Sequence, residues 1–388
     1  MSRVPERARI GRALLALCGH RAEHAQGLTD ADWQVLDGLA EDHRLQPFLH
    51  GRHGRGEIAG IPDSIAHRWQ EATRANAVTM LSQRRALLQA VDTLGVEGIG
   101  CVALKGAALA WTVWPNPAER QMRDIDVLVA EAKAAEAYTA LRAAGWQAPN
   151  LGAAELSRFA KAETHLPPLY SPEGVMCELH AHVWSKPPLP GSPMPLSDDA
   201  HVLGHARHSE RLGAAIPCAE DMLAHLVVHA ACSHLLNVGP MALVDVDLWC
   251  ACKAINWPFF WEHARREGFD RPAALVFALV NRWRRPGFAT ESQTPHSLPP
   301  ELLDEAELLL VQDLDVRKDV SVIASLAAGR IGGRFGQHPL DRAEGEAGLG
   351  TRIGQVANRF VSLAKAFGSA QTRRDGRATA RLQKWMEG

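Results

Sequence analysis

A chain of 388 residues is long enough for roughly two or three domains, and its 46% hydrophobic content is ordinary for a globular protein. Its formal charge of −2, from 42 basic and 44 acidic residues, argues against a global attraction to nucleic acid, and no basic stripe interleaved with aromatics is present, so nucleic acid is not an expected partner. Seven cysteines, at 18, 101, 177, 218, 232, 250 and 252, form no C-x-x-C pair, which excludes a disulfide framework and points to a reducing compartment.

The opening stretch, MSRVPERARIGRALLALCGH, has the look of a signal peptide. Its apolar run from Ala13 to Cys18 is too short, Arg12 bounds it, and no clean small-residue cleavage site follows, so an amphipathic helix is expected. No run approaches the roughly 18 apolar residues of a membrane span; a membrane partner is therefore not expected, and the cytoplasm is the expected location. Thr29-Asp30-Ala31-Asp32 reads as a helix start, with Trp33, Leu36 and Leu39 at helical spacing behind it. Gly51 to Gly60 reads as a loop rich in glycine and basic residues. A long helix is expected from Pro62 to about Leu94, ended by Gly95 and Gly98. Residues 1–95 are thus an expected N-terminal helical region.

Residues 96–215 read as an α/β core. Cys101-Val102-Ala103-Leu104 is a short buried strand that runs into Lys105-Gly106 and then the helix formers Ala107 to Ala110. A strand, a glycine and a helix start can cradle a phosphate on backbone N–H groups, with Lys105 adding a mobile positive charge. Asp124-Ile125-Asp126-Val127-Leu128-Val129 reads as the next strand. Alternation puts Asp124, Asp126 and Leu128 on one face and sends Ile125, Val127 and Val129 into the core. A helix from Glu131 to Ala144, capped by Gly145, separates it from an extended stretch beginning at Trp146. After the turn Pro172-Glu173-Gly174, Val175 to Val183 alternates again. Met176, Glu178, His180 and His182 share one face of that strand. Residues 186–215 read as loop, proline-rich through Pro195.

Residues 216–328 are an expected C-terminal helical domain, with helices opening at Ala219, running from Trp257-Pro258 to Glu267, and spanning Pro272 to Trp283. Residues 329–388 turn glycine- and arginine-rich, with a weak amphipathic candidate at Ile353 to Phe367, and are expected to be a mobile tail or a partner surface. The fold class expected from this order is α+β, a small mixed sheet flanked by helical regions.

Two carboxylates about 7 Å apart on one strand face repel each other unless a cation sits between them. Oxygen ligands suit Mg²⁺, which is bound through a few carboxylates together with substrate phosphates. Glu178, beside His180, can complete a site of three acids if its strand lies next to the Asp pair. Asp245 and Asp247 form a second D-x-D, but no strand-glycine element precedes it and its neighbours read as helix, so it is read as polar residues in a helical segment. His225 and His229 share a helical face, with His234 nearby; no metalloprotease glutamate follows His225, and interface histidines are the expected reading. His201, His205 and His208 are read as solvated.

This arrangement resembles the nucleotidyltransferase superfamily typified by DNA polymerase beta. More narrowly, it resembles a bacterial nucleotidyltransferase family whose signature is LKG, then an arginine, then DIDxLV. The matching residues are Leu104-Lys105-Gly106, Arg120 and Asp124 to Val129, with Glu178-Leu179-His180 as the later acid motif. The superfamily's glycine-serine pair after the first strand is replaced here by Lys105-Gly106. The resemblance implies that Asp124, Asp126 and Glu178 are catalytic and hold two Mg²⁺ ions. It also implies that Lys105, Gly106, Arg120 and His180 line the nucleotide site, Arg120 as a phosphate ligand. The implied reaction moves a nucleoside monophosphate from a nucleoside triphosphate such as ATP to a hydroxyl of a small molecule or peptide, with release of pyrophosphate. A catalytically inactive nucleotide- or partner-binding protein of the same fold is the alternative.

Overall fold

The structure, a computed structural model, describes residues 3–21, 25–184, 199–312 and 370–388. Helix α1 (Arg3–Leu17) buries Ile10 and the run Ala13 to Leu17, the stretch that looked like a signal peptide. Helix α2 (Asp30–Asp42) starts where the sequence marks it: Asp32 N–H donates to the Thr29 hydroxyl at 3.2 Å, and Thr29 N–H donates back to the Asp32 carboxylate at 2.9 Å. Helix α3 (Gln46–Gly54) takes in the first part of the loop expected over Gly51 to Gly60, through Gly54. Gly51 sits inside this helix because nothing larger fits. A Cβ there would lie 2.2 Å from the Glu119 carboxyl carbon.

Helix α4 (Asp63–Val96) is 34 residues long and buries Ile65, Trp69, Met80, Leu87 and Leu94. Two amides on α4 hold the segment that leads into the Asp pair. Asn76 donates to the Ala118 carbonyl at 2.8 Å and Gln83 to the Met122 carbonyl at 3.1 Å.

The sheet comes next in the chain: β1 (Cys101–Leu104), α5 (Lys105–Thr112), β2 (Asp124–Val129), α6 (Ala134–Ala143), α7 (Ala153–Ala162), β3 (Leu169–Tyr170) and β4 (Met176–His180). The strand order is β1-β2-β4-β3, with β1 antiparallel to β2, β2 parallel to β4 and β3 antiparallel to β4. This is the small mixed sheet of the expected α+β class. Helix α7 was not foreseen. Its face is thin, with only Leu156 and Ala160 buried, and its start rests on Gly152 N–H donating to Glu155 at 2.9 Å. Strand β4 is shorter than Val175 to Val183, because Ala181 and His182 both donate to the Thr164 carbonyl and the chain leaves the ladder there.

The loop expected over 186–215 is corrected where it is described. Helix α8 (Asp199–His205) and the hairpin of β5 (Arg207–Ser209) and β6 (Ala214–Ile216) follow one another. Asp199 ties α8 to the end of β4, accepting from Val183 N–H at 2.8 Å and from the His182 ring at 2.7 Å. His201 and His205 therefore lie on a helix and His208 on a strand. The proline-rich part lies outside the described residues.

The C-terminal half is helical, as expected: α9 (Ala219–Val228), α10 (Met241–Cys252), α11 (Trp257–Glu267), α12 (Asp270–Trp283), α13 (Phe288–Glu291) and α14 (Pro300–Leu310). Phe260, Phe269, Phe277 and Phe288 form a fully buried aromatic centre, with ring centroids 5.2–5.9 Å apart. The end of the expected tail is not loose: α15 (Ala370–Glu387) buries Leu382 and Met386, and Arg271 donates to the Trp385 carbonyl at 2.9 Å. The amphipathic candidate at Ile353 to Phe367 lies outside the described residues. No helix among the described residues is long and apolar enough to cross a membrane.

Candidate active site

Register decides the site. Parallel pairing of β2 with β4 sets Asp126 directly opposite Glu178, and antiparallel pairing with β1 sets Asp126 opposite Leu104, the residue before Lys105. Asp124 starts β2, opposite Met176. The acids of the two motifs, Asp126 and Glu178, therefore meet on one sheet face.

Lys105 lies at the turn from β1 into α5 with φ +44°, a left-handed conformation that non-glycine residues seldom adopt. Its ammonium donates to Asp126 Oδ1 at 2.7 Å. The same oxygen meets His180 Nε2 at 2.9 Å, and that nitrogen lies 3.7 Å from Glu178 Oε2. His165 Nε2 stands 3.9 Å from Glu178 on the other side. Burial alone would raise the Asp126 carboxyl, but Lys105 and His180 outweigh it and hold that group well below the usual carboxylate range. Burial and Lys105 oppose charge on His180, yet Asp126 and Glu178 pull its imidazole above its ordinary value. Asp124 is pushed up to about 6, first by burial and then by the charges of Asp126 and Glu178.

One ligand atom from each of Asp126, Glu178 and His180 lies within 4.8 Å of the others. Two carboxylates and an imidazole are a donor set that fits a divalent cation. Among the described residues, this triad is the group of three or more such side chains close enough to share an ion. It includes His180, read from sequence as lining the site, while Asp124 stands beside it on the cavity wall.

Arg120 lines the cavity beside Asp124, with its fork taken by an acid from a distant helix. Its Nε and Nη2 donate to Asp245 Oδ1 and Oδ2 at 2.9 and 2.7 Å, and both side chains are buried. Trp114 Nε1 donates to the same Asp245 at 2.9 Å. The third guanidinium nitrogen crowds Gly106, where a Cβ would lie 2.2 Å from it. The second D-x-D is thus helical, as read, but it is not idle: Asp245 clamps Arg120, and Asp247 takes Arg284 and Arg285 at 2.9 and 3.0 Å. Sequence reading missed this role. The signal was an acid inside an apolar helix, which is rarely buried without a partner.

Two cavities open beside this cluster. One, of about 290 Å³, is lined by Arg44, Arg120, Arg123, Asp124 and Asp126. The other, of about 500 Å³, is lined by Glu163, His165, Trp184, His225 and His229. Lys105 and Glu178 border both. After α9 the chain makes one π-helical turn, His229–Ser233, a form often found at functional sites, and this turn puts His229 and Ser233 on the wall. Burial first, then Lys105, keeps His225 neutral down to about 3 and depresses His229 well below the usual imidazole range. His182 turns to Asp199 and not to the acids.

The sequence model of the family described as "Uncharacterised nucleotidyltransferase" matches residues 29–285, from the cap of α2 to the end of α12, and so spans every site residue named above. No curated protein matches the chain.

Proposed function

The chain belongs to this uncharacterised nucleotidyltransferase family and is a nucleotidyltransferase; from that premise we propose that it moves a nucleoside monophosphate from a nucleoside triphosphate to a hydroxyl of a small molecule or peptide, with Mg²⁺. The observation that carries the reading is the β2–β4 register, which sets Asp126 opposite Glu178, with His180 hydrogen-bonded to Asp126. Asp124, Asp126 and Glu178 would hold two Mg²⁺ ions, with His180 fixing Asp126. When bound, those ions offset charge on the phosphates and acidify the attacking hydroxyl.

The remaining steps belong to the chain's own groups. Glu178 accepts the acceptor's hydroxyl proton as the new oxygen–phosphorus bond forms at the α-phosphate. The bond from that phosphate to the bridging oxygen breaks, and pyrophosphate leaves with the electron pair. Lys105, the Gly106 backbone N–H and Arg120 stabilise the phosphate oxygens. Most of the rate then comes from positioning and electrostatics. The arginine-bearing cavity suits the triphosphate. The histidine-lined cavity holds no arginine and suits an acceptor without phosphate charge.

The test is incubation with Mg²⁺ and each labelled triphosphate, with cell extract as acceptor source, following pyrophosphate and labelled products. Asp126→Asn is expected to reduce turnover at least about 100-fold. Equal turnover in variant and wild type removes the catalytic assignment. Binding of triphosphate with no turnover on any acceptor would favour the inactive nucleotide-binding alternative.

A further inference from the structure

Lys105 sits in the wrong place for a residue whose role is to meet phosphates. Its ammonium is on Asp126 Oδ1, the oxygen that also receives His180 and belongs to a carboxylate of the proposed cation site. Asp126, Glu178 and Asp124 all stabilise its charge. It does this from a left-handed backbone position, which a non-glycine residue holds only when its surroundings compensate. Arg120 also acts on Asp124 and Asp126, but its fork is bound to Asp245.

From this geometry, and resting on the metal-dependent reading above, we infer that Lys105 is a placeholder for the divalent cation: its ammonium neutralises Asp126 in the resting protein and passes to the triphosphate when cation and nucleotide enter together. A cation bound among ligand atoms that span 4.8 Å stands a few ångströms from the ammonium, and repulsion there is strong because the side chains are buried. The ammonium has somewhere to go. Lys105 borders both cavities, and its four-carbon stem is flexible. A free cation must evict it with no new partner for it, whereas a cation that arrives with a triphosphate brings three phosphates. Cation and nucleotide therefore reinforce each other's binding through one side chain.

The test titrates the full-length protein with Mn²⁺ alone, counting free ion by its electron paramagnetic signal. Lys105→Met is expected to bind Mn²⁺ at least about tenfold tighter than wild type, and Lys105→Arg, which keeps the charge, about as wild type does. In chelator, Lys105→Met is expected to melt below wild type, and Mn²⁺ is expected to raise its melting temperature by more. Wild type that binds Mn²⁺ with Lys105→Met binding no tighter overturns the placeholder role and leaves the metal reading standing. No Mn²⁺ bound by either protein at millimolar concentration overturns both. If Lys105→Met is recovered unfolded, the wild type decides. Its Lys105 ammonium resonance, followed by nitrogen-15 NMR, is expected to shift when Mg²⁺ and a non-hydrolysable ATP are added, and an unchanged resonance rejects the hand-over.

Discussion

One methyl group separates Gly106 from a blocked site. Its missing Cβ is the space that the Arg120 guanidinium fills. Gly106→Ala is expected to push Arg120 off its fork with Asp245 and to cost about 1–3 kcal/mol in urea unfolding; a midpoint equal to wild type would show that the guanidinium moves aside freely. Asp245→Ala leaves a buried guanidinium without its counter-charge and is expected to cost about 3–5 kcal/mol. The double variant with Arg120→Ala should recover part of that loss; additive losses would mean the two side chains act independently. His225 gives a pH dependence. In the fold it stays neutral down to about 3, while in the unfolded chain it takes a proton near 6.5. Its contribution to stability is full above about 6.5 and is lost as pH falls from there toward 3. His225→Gln should therefore lose stability on acidification less steeply, by up to about 1.4 kcal/mol per pH unit. Parallel slopes for variant and wild type between pH 6 and 4 would contradict this. At this scale the sequence marked Asp124, Asp126 and Glu178 because alternation in a strand is a local rule, and Lys105 because a strand running through a glycine into a helix is a local pattern too. It did not reveal what pairs with Arg120, because Asp245 lies 125 residues away.

Elements with strong periodicity stand where the sequence put them: α2, α4, α11 and β2 begin within a residue or so of their signals. The misses share a cause, which is tertiary contact overriding a local cue. The glycine at 51 looked like a helix breaker and is a helix residue, because Glu119 packs against it. The end of the chain looked like tail and is α15, because Leu382 and Met386 bury against Ala231, Leu275 and Leu309. Leu382→Ala is expected to cost about 2–5 kcal/mol. A variant as stable as wild type in urea would mean that α15 is docked without contributing. The short parallel pair β2–β4 has no such local signature. Its register sends Ile125, Val127, Cys177 and Leu179 into the core together, since a slip of one residue would turn one strand's apolar set onto the face that carries the acids.

Across the whole molecule, the helical regions are walls of the site and not appendages. Helix α4 holds the loop before β2 by Asn76 and Gln83, and α10 holds Arg120 by Asp245. We propose that the N-terminal helices, the sheet and the C-terminal helices unfold together. Heating is expected to give one transition with the same midpoint by tryptophan fluorescence and far-ultraviolet dichroism. Residues 96–215 expressed alone are expected to stay unfolded, since Arg120 would lose its partner and α5 its cover. A folded fragment that binds triphosphate would show the core to be independent.

The sequence by itself determined the α+β class, the strands that carry the acids and which acids share a strand face, because hydrophobic periodicity and turn chemistry act over a few residues. Tertiary structure decided what those acids face: Lys105 and His180 on one oxygen of Asp126, Asp245 on Arg120, and histidines on the far wall. Those pairings join residues between 21 and 125 positions apart. They follow from burial, where an unpaired charge is costly and each group must find its partner in space, whatever the distance along the chain.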